Sequence, residues 1–332
     1  MANYKKEGGT SVKTYSSDPP TSFPSAWEGQ LYYNSSDGNF KFQTIGAGAW
    51  ASGGAMPANK WVGMGAGTQT SNVVSGGGTT PPANGNQVNT TFEYDGSSWT
   101  AGGAINTTRF DGAGFGASNT AALIASGGAS PGSSRKTEVE SYNGTAWTEV
   151  ADVNTKAYGV RGAGTSTAGL KFGGYDGSFT ADVETWDGSS WTEVNNLNAA
   201  TSYRTGIGTQ TAALAATGED PSGLNDFAEE WDGTSWTEIA DVNTARTQLG
   251  GSGTSTDGLI FGGTVANGDK TEAWDGTSWT EVADLSTARI GGMGSPAGTG
   301  SVALYAGGGT PGGTTATEEW NKAHTLKKVT LG

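Results

Sequence analysis

A short segment with two aromatic residues around a tight turn recurs along this chain at nearly even spacing. Five copies align without gaps, and they read YDGSSWT, YNGTAWTEV, WDGSSWTEV, WDGTSWTEI and WDGTSWTEV. Their second aromatic residues lie 48, 44, 45 and 43 residues apart, at Trp99, Trp147, Trp191, Trp236 and Trp279. Periods of roughly 40–50 residues are typical of arrays in which each repeat forms one four-stranded sheet. This repeat constrains the fold more than any other feature of the sequence.

Each copy lies within a longer unit whose parts predict strands and turns. An apolar run ending in adjacent glycines precedes the aromatic segment, as in LKFGG up to Gly174 and LIFGG up to Gly263. Such a run without polar alternation predicts a strand that is buried on both faces. Asp-Gly or Asn-Gly between the aromatic residues predicts a tight hairpin turn, because these residues tolerate positive φ. A polar turn that ends in a basic residue follows, and the basic residues are Arg109, Lys156, Arg246 and Arg289.

The units predict an all-β fold in which four-stranded sheets pack face to face around an axis. One sheet cannot bury both of its faces alone, whereas stacked sheets can, with tryptophan filling the space between them. The glycine pair, an aromatic residue eleven or twelve positions later and a tryptophan five further on resemble the repeat signature of kelch proteins. The resemblance covers roughly residues 47–322 and implies a kelch-like β-propeller. The fourth unit departs from the signature, because Ala216-Thr217-Gly218 replaces the glycine pair.

The last unit lacks its outer strand, and the start of the chain offers a replacement. Thr325 stands five residues after Trp320, where the other units have tryptophan. GAGAWASGGAMPANK at residues 46–60 matches DGSSWTAGGAINTTR at residues 95–109, with Trp50 opposite Trp99. We therefore expect a six-bladed β-propeller in which the N-terminal strand closes the last blade. The alternative is that residues 324–331 form the last outer strand and Trp50 belongs to a partial seventh blade.

The sequence predicts a separate N-terminal module at residues 1–45 and a propeller at residues 46–332. Three prolines interrupt an extended arm, and LYYN and NFKFQ flank Ser-Asp-Gly as the strands of a β-hairpin would. EGQLYYN followed by DGNFKF resembles short segments of tailed-bacteriophage fibre and tail proteins. The WDGTSWTEV repeats also resemble propellers that phages of aquatic bacteria encode. These resemblances imply that residues 1–45 attach the chain to other virion proteins.

The composition argues against nucleic-acid binding, membrane insertion and metal chemistry. The chain has no cysteine, and its single histidine, His324, is expected on the surface. Kelch-like copper oxidases need His and Cys ligands, so that resemblance fails, and we expect no metal and no cofactor. The net charge of −14 repels nucleic acid and anionic membranes. No run approaches the ~20 apolar residues of a membrane helix, and the N-terminus shows no apolar signal segment.

The repeated charged residues are expected to have structural roles. Arg109, Arg246 and Arg289 occupy equivalent positions in three units, which indicates structural pins rather than the arginine cluster of a sialidase. Asp and Glu residues can act as an acid and base pair, but recurrence in every unit favours turn formation and strand pairing. The Gly-rich loops show no spaced set of calcium ligands. We therefore predict no catalytic residues.

The loops between the glycine pair and the next aromatic strand vary in length and content, while the rest of the unit hardly changes. Their equivalent positions place them on one rim of the propeller, and variable loops on a constant frame are where recognition usually occurs. Neutral drift in solvated turns is the alternative explanation. The candidate ligand or partner residues are Asn84, Asn86, Arg135, Tyr175, Asp176, Phe179, Asp220, Asn225, Phe227, Asn267 and Asp269.

These observations lead to a functional hypothesis. We expect a structural protein of a phage virion, as a tail-fibre, tail-associated or head-decoration component that is multimeric on the particle. Its propeller would be displayed for contact with a host-surface glycan or protein. The alternative is a secreted or cell-surface bacterial module that binds carbohydrate or protein, and a hydrolase or lyase with an acidic site ranks third.

Overall fold

The structure is a computed structural model that describes residues 12–18, 31–81, 86–129, 134–309 and 312–329. The chain divides into two compact units. Unit 1 is Met1–Gly48 with Lys322–Gly332, and unit 2 is Ala49–Asn321. The regular structure of the described residues is β, apart from one 3₁₀ turn at Val265–Asn267. This agrees with the predicted all-β class.

Unit 1 contains one four-stranded sheet to which both ends of the chain contribute. In sheet order, and numbered along the chain, its strands are β1 (Lys13–Tyr15), β2 (Leu31–Asn34), β3 (Asn39–Ile45) and β29 (His324–Lys328). β2 and β3 form the predicted hairpin, with Asn34 opposite Asn39. β1 pairs in parallel with β2, and β29 pairs antiparallel with β3. The last residues of the chain, which the sequence assigned to the propeller, therefore add a strand to unit 1 and not to the last repeat.

The described residues of unit 2 form six antiparallel sheets, which we number along the chain. Sheet 1 consists of β5 (Met64–Thr68), β6 (Ser71–Ser75), β7 (Thr91–Tyr94) and β8 (Trp99–Gly102). Sheet 2 consists of β9 (Ala113–Ser118), β10 (Ala121–Ala125), β13 (Val139–Tyr142) and β14 (Trp147–Val150), beside a short ribbon of β11 (Gly128–Ala129) and β12 (Ser134–Arg135). Sheet 3 consists of β15 (Arg161–Thr165), β16 (Ala168–Phe172), β17 (Val183–Trp186) and β18 (Trp191–Val194).

The remaining three sheets follow the same order. Sheet 4 consists of β19 (Thr205–Thr209), β20 (Ala212–Asp220), β21 (Gly223–Trp231) and β22 (Trp236–Glu238). Sheet 5 consists of β23 (Gly250–Gly253), β24 (Gly258–Phe261), β25 (Thr271–Trp274) and β26 (Trp279–Glu281). Sheet 6 consists of β27 (Val302–Ala306), β28 (Thr317–Asn321) and β4 (Ala49–Ser52).

The two aromatic residues of each repeat face one another in the same register. Trp186 pairs with Trp191 in sheet 3, and the other repeats follow this pattern. In sheet 6 the partner of Trp320 is Trp50, so β4 from the start of unit 2 occupies the outer position beside β28. The two rings lie 5.7 Å apart. The sequence predicts this pairing from the match between residues 46–60 and 95–109.

Six clusters of buried apolar side chains form the core of unit 2, and each combines residues of two neighbouring sheets. Phe115 and Leu123 of sheet 2 pack with Trp191 of sheet 3, for example. Further clusters join sheets 3 and 4, 4 and 5, 5 and 6, and 1 and 2. The remaining cluster joins Val74 of sheet 1 to Leu304 of sheet 6. Every sheet therefore shares its core with two others.

A circuit of backbone hydrogen bonds also joins the six repeats. Its members each lie two residues before the first strand or bridge of a sheet, and all have positive φ: Val62, Asp111, Gly159, Tyr203, Gln248 and Gly291. Each backbone N–H donates to the carbonyl of the equivalent residue in the preceding repeat, over 2.7–3.4 Å. The N–H of Val62 donates to Gly291, so the six bonds return to their start. Positive φ costs energy in residues other than glycine, above all in β-branched valine, so the circuit holds four residues in strained backbone.

The first position of the glycine pair requires a left-handed backbone conformation, which the sequence pattern only partly revealed. This position has φ of +62° at Gly76, and Ser126 and Thr217 adopt φ of +65° and +58° at the equivalent positions. A Cβ at Gly76 would lie 2.6 Å from the Arg109 carbonyl oxygen. Left-handed backbone and the close approach of the next repeat therefore both favour glycine here.

Buried ion pairs tie five of the sheets to a neighbouring loop or strand. In each of these sheets, a glutamate on the strand next to the outer, tryptophan-bearing strand meets a buried arginine or lysine. The pairs are Arg109–Glu140, Lys171–Glu184, Arg204–Glu229, Arg246–Glu272 and Arg289–Glu318. The structural pins predicted at Arg109, Arg246 and Arg289 are confirmed. Lys156, the basic residue that ends the corresponding turn, is exposed, and Ala157 stands at the Arg109 position. Lys171 reaches the same glutamate position from the adjacent strand.

Candidate functional site

One edge of the sheets brings together the connections between repeats and the predicted rim loops. Backbone bridges join Trp61 to Gly78, Phe110 to Gly128, Tyr158 to Tyr175, Ser202 to Glu219 and Ile290 to Gly309. In each bridge the first residue comes from the connection that enters a sheet, and the second comes from the loop or hairpin between its second and third strands. Because the connection residues directly precede the hydrogen-bonded circuit, this edge also surrounds the circuit.

A cluster of aromatic rings and one guanidinium stands out on this edge. We call Arg135, Tyr158, Tyr175 and Phe179 the Arg135 cluster. The rings of Tyr158 and Tyr175 lie 5.5 Å apart, and Phe179 meets Tyr175 edge-on at 5.4 Å. The Arg135 guanidinium lies 5.3 Å from the Tyr175 ring centre and 5.8 Å from that of Tyr158. All four side chains are half-buried, so their ring faces and edges remain partly open to solvent.

A hydrogen bond fixes Arg135 in this arrangement. Its Nε donates to the Tyr175 carbonyl oxygen over 3.2 Å, and the short β11–β12 ribbon holds its backbone opposite Gly128. Besides the cation–π contacts and the hydrogen bond at Nε, the two terminal amino groups of Arg135 have no hydrogen bond to any described residue. The cluster therefore presents a positioned cationic fork beside aromatic surface.

A second guanidinium lies next to the cluster, but its charge is balanced. Tyr203 lies 6.1 Å from Tyr158, and the Arg161 guanidinium lies 5.9 Å from Tyr203. Arg161 forms an ion pair with the buried carboxylate of Asp111 over 3.4 Å. Burial raises the pKa of Asp111 to about 6, against the opposing effect of Arg161. Burial also raises the pKa of the Tyr203 hydroxyl, so this tyrosine is neutral at physiological pH.

The structure brings four of the predicted rim residues together. Arg135, Tyr175 and Phe179 form most of the cluster, and Asp176 lies in the same loop. The Asp176 carboxylate accepts hydrogen bonds from the Ser178 N–H and hydroxyl, and the backbone bond lowers its pKa. Ser178 therefore holds the carboxylate in its own turn, and the nearby Arg135 charge also lowers the pKa of Asp176.

The predicted loop at residues 219–227 is instead a long hairpin. Gly218 pairs with Asn225, Glu219 with Leu224 and Asp220 with Gly223, so β20 and β21 continue almost to the turn. The amide of Asn225 is buried and has no hydrogen-bond partner within the described residues. Phe227 is half-buried on the same strand. These residues belong to regular structure because the two strands continue their ladder beyond a bulge next to Gly218.

The other rim residues show local roles. The Asn86 amide donates to the Thr80 carbonyl oxygen over 2.9 Å. Asn267 ends the 3₁₀ turn, and the Asp269 carbonyl accepts the Leu285 N–H over 2.8 Å. Asn84 lies outside the described residues. No contact described for this part of the chain joins Asn86, Asn267 or Asp269 to the Arg135 cluster.

Sequence reasoning missed Tyr158, Tyr203, Arg161 and Asp111, which complete the site. A signal for one of them was present, because the residue directly before the circuit member is aromatic in three repeats. These residues are Trp61, Phe110 and Tyr158. Alignment of the repeats at this position would have shown aromatic side chains on the connecting segments.

The central cavity of unit 2 is small. It has a volume of about 60 Å³ and is lined largely by glycines of the inner strands, including Gly65, Gly114 and Gly206. A Cβ at Gly114 would lie 2.3 Å from the Gly65 carbonyl oxygen, so neighbouring inner strands approach too closely for side chains. The cavity lining offers few functional side chains, so the open edge is the better candidate.

The repeated Asp residues cap the turns of their own hairpins. The carboxylate of Asp232 accepts the N–H groups of Thr234 and Ser235 and both of their hydroxyls, and Asp275 repeats this with Thr277 and Ser278. These bonds lower the pKa of both carboxyl groups to about 2. A carboxyl group with such a pKa is ionised at neutral pH and is poorly matched to general acid catalysis.

The described part of the chain contains no group of three or more His, Cys, Asp or Glu side chains placed to hold a metal ion. No helix within it has the length and apolar character needed to cross a membrane.

Comparison with known proteins supports the fold alone. No protein-family model and no curated protein matches the sequence. Among solved structures, the chain is similar to one described as the structure of YjhT, which has a kelch-like propeller fold. The TM-score is 0.66 at 15% sequence identity, and the match covers 82% of this chain and 99% of that one. This likeness and the antiparallel sheets of unit 2 together indicate a β-propeller.

Proposed function

We propose that this chain is a structural protein of a tailed-phage virion whose unit 2 is displayed as a non-catalytic recognition propeller. In this proposal unit 1 attaches to other virion proteins and unit 2 contacts a host-surface glycan or protein. The Arg135 cluster carries the recognition part, because it combines open aromatic surface with a positioned, partly free guanidinium. The resemblance of EGQLYYN and DGNFKF to phage tail segments carries the virion part.

We further propose that unit 2 is a closed six-bladed propeller. Three observations support closure. The hydrogen-bonded circuit returns from Gly291 to Val62, and one core cluster joins sheet 6 to sheet 1. The amide of Gln69, at the turn between β5 and β6, donates to the carbonyl oxygens of Ala303 and Trp320 in sheet 6.

A closed propeller suits display because it holds loops on a rigid frame with few exposed strand edges. The division into units also suits attachment. Both described ends of the chain lie in unit 1, where β1, β2, β3 and β29 share one sheet.

Mass spectrometry of purified phage particles tests the proposed function. We expect the chain to copurify with virions through a density gradient at a constant ratio to the major capsid protein. Its presence in infected-cell lysate but not in particles would contradict a virion role. If the purified chain nevertheless bound host cells, the alternative of a free or cell-surface binding module would replace it.

A further inference from the structure

We propose that the Arg135 cluster binds a saccharide that carries one isolated anionic group, either a carboxylate or a sulfate ester. This inference rests on the proposed function, because it names the chemical class of the ligand that the displayed propeller would contact. The sugar ring would pack on the tyrosine faces, and its anionic group would meet the terminal amino groups of Arg135.

The charge balance of the arginines points to Arg135 as an anion receptor. The chain has six arginines, and all lie in the described residues. Four are buried in ion pairs with glutamates, and Arg161 pairs with Asp111. Within the described residues, Arg135 alone has no carboxylate within ion-pair distance. An unpaired guanidinium held in place by two aromatic rings and a hydrogen bond at Nε is organised in advance for a bidentate anion.

Gly177 leaves space beside the Arg135 guanidinium. Apart from the two residues that flank Gly177, a Cβ built there would meet only the Nη2 atom of Arg135, at 3.9 Å. The glycine therefore leaves access to the amino groups that Nε does not use. Arg135 and its neighbours are half-buried, which partly desolvates the guanidinium and strengthens its contact with an anion.

The aromatic rings indicate that the rest of the ligand is a sugar ring rather than a free ion. Tyr158, Tyr175 and Phe179 provide adjacent faces and edges at centroid distances of 5.4–5.5 Å. Aromatic side chains with polar ends combine apolar contact area with hydrogen-bonding capacity. Saccharides match this surface, because their C–H faces are apolar and their rims carry hydroxyl groups. Tyr203 and the paired Arg161 extend the surface on one side.

The overall charge limits how many anionic groups the ligand carries. At physiological salt, the net charge of −14 repels each anionic group of a ligand only within about 8 Å, so the total repulsion grows with the number of anionic groups held near the surface. A polysulfated chain is therefore disfavoured. The geometry fits a terminal or widely spaced acidic sugar within an otherwise neutral glycan.

Binding of the full chain to matched glycans tests this inference. The probes are oligosaccharides with one neutral backbone that end in glucose, glucuronate or glucose 6-sulfate, drawn from an array of such backbones. We expect binding to at least one acidic member and about 10- to 100-fold weaker binding to its neutral counterpart, as for loss of a charge-assisted contact. The carboxylate and sulfate arms show which anion is preferred.

Variants of the full chain assign the effect to Arg135. Arg135→Gln should remove the preference for the acidic sugar, and Arg135→Lys should retain only part of it, because lysine lacks the planar fork. Lys156→Gln is the matched control, since it removes the same charge from an exposed residue outside the cluster. If Arg135→Gln lowers thermal stability, the comparison of Arg135→Lys with wild type decides the question instead.

The outcomes separate this inference from the proposed function. Equal affinity for acidic and neutral glycans, or an acidic preference that Arg135→Gln leaves unchanged, overturns the inference. Failure to bind any glycan overturns it too. In each of these cases the proposed function survives if the chain copurifies with virions and the particles bind host cells.

Discussion

At the scale of single residues, the buried glutamates link neighbouring segments of unit 2 through ion pairs and hydrogen bonds. Glu272 accepts the Arg246 guanidinium at 2.9 Å, and it also accepts the Asn243 N–H and side-chain amide over 2.8 Å each. A buried ion pair repays its desolvation only when further hydrogen bonds satisfy the charged groups. The glutamate therefore joins its own sheet to the connection that leaves the preceding sheet.

Removal of this carboxylate charge should be costly. We expect Glu272→Gln to lower the free energy of unfolding by about 3–5 kcal/mol, because it leaves the Arg246 charge buried without its partner. Urea denaturation measures the change. Glu281→Gln is the matched control, since Glu281 forms an exposed ion pair with Lys270 in the same sheet and should cost about 1 kcal/mol or less. Equal effects of the two substitutions would show that the buried pair has no special role.

Sheet 1 departs from this pattern and predicts a pH effect. Phe92 stands where the other sheets have glutamate, and the buried Lys60 ammonium donates instead to the Gly76 and Thr90 carbonyl oxygens, 5.2 Å from the Phe92 ring centre. Burial lowers the pKa of Lys60 to about 7. The unfolded chain then binds more protons between pH 7 and about 10.5, so the free energy of unfolding should rise with pH over this interval.

Chemical denaturation from pH 6 to pH 10 measures this dependence. The Lys60 contribution has a slope of up to about 1.4 kcal/mol per pH unit and is absent below pH 7, where both states are protonated. Lys60→Met should remove the contribution, so the difference in stability between wild type and variant changes with pH. A constant difference across the whole range would mean that Lys60 keeps an ordinary pKa.

At the scale of strands, the outer tryptophan of one sheet bonds to the third strand of the sheet before it. The indole N–H donates over 2.9 Å to a threonine hydroxyl in the pairs Trp147–Thr91, Trp99–Thr317 and Trp50–Thr271. Val139 and Val183 occupy the equivalent acceptor positions opposite Trp191 and Trp236. Within the described residues, the N–H groups of those two tryptophans have no partner. A buried unpaired donor costs roughly 1–3 kcal/mol.

Paired substitutions test this inter-sheet contact. Val139→Thr should raise the free energy of unfolding by about 1 kcal/mol, because it gives the Trp191 N–H an acceptor. Thr91→Val should lower it by a similar amount by removing the acceptor of Trp147. Thermal denaturation of both variants measures the effects, and a loss of stability in Val139→Thr would contradict the account.

Strand-level features were the most predictable from sequence, because they depend on neighbours along the chain. The Asp-Gly hairpins and the pairing of Trp50 with Trp320 follow from repeat alignment. The cation in sheet 3 could not be predicted, because Lys171 on β16 reaches the position that an arginine from the preceding connection fills elsewhere. A pattern along one strand does not show which of two nearby cations fills a shared space.

The candidate site was only half predictable for a related reason. Arg135, Tyr175 and Phe179 lie in variable loops, where comparison of repeats draws attention to them. Tyr158 and Arg161 lie on a connection and at the start of a strand, and they approach the loops only because bridges such as Tyr158–Tyr175 align the two segments. The contacts are therefore a consequence of tertiary packing between segments with no common sequence pattern.

At the scale of the whole molecule, the proposed display function requires unit 2 to be closed by its own first strand. β4 lies beside β28. The glycines of the inner strands allow the backbones of neighbouring repeats to approach closely. A Cβ built at Gly65, for example, would lie 2.8 Å from the Gly294 carbonyl oxygen. Closure would fix the loops on one frame, so the proposed display function rests on it. A partial seventh blade built on Trp50 would remove this support.

Disulfide trapping between β4 and β28 tests closure most directly, because the chain has no native cysteine. Ala51 faces Glu319 in sheet 6 at the register position that Thr148 and Ser141 occupy in sheet 2. Ala51→Cys with Glu319→Cys should form an intramolecular disulfide on mild oxidation, as efficiently as the control pair Ser141→Cys with Thr148→Cys. Bonding of the control pair alone, with the first pair left reduced or linked between molecules, would contradict closure.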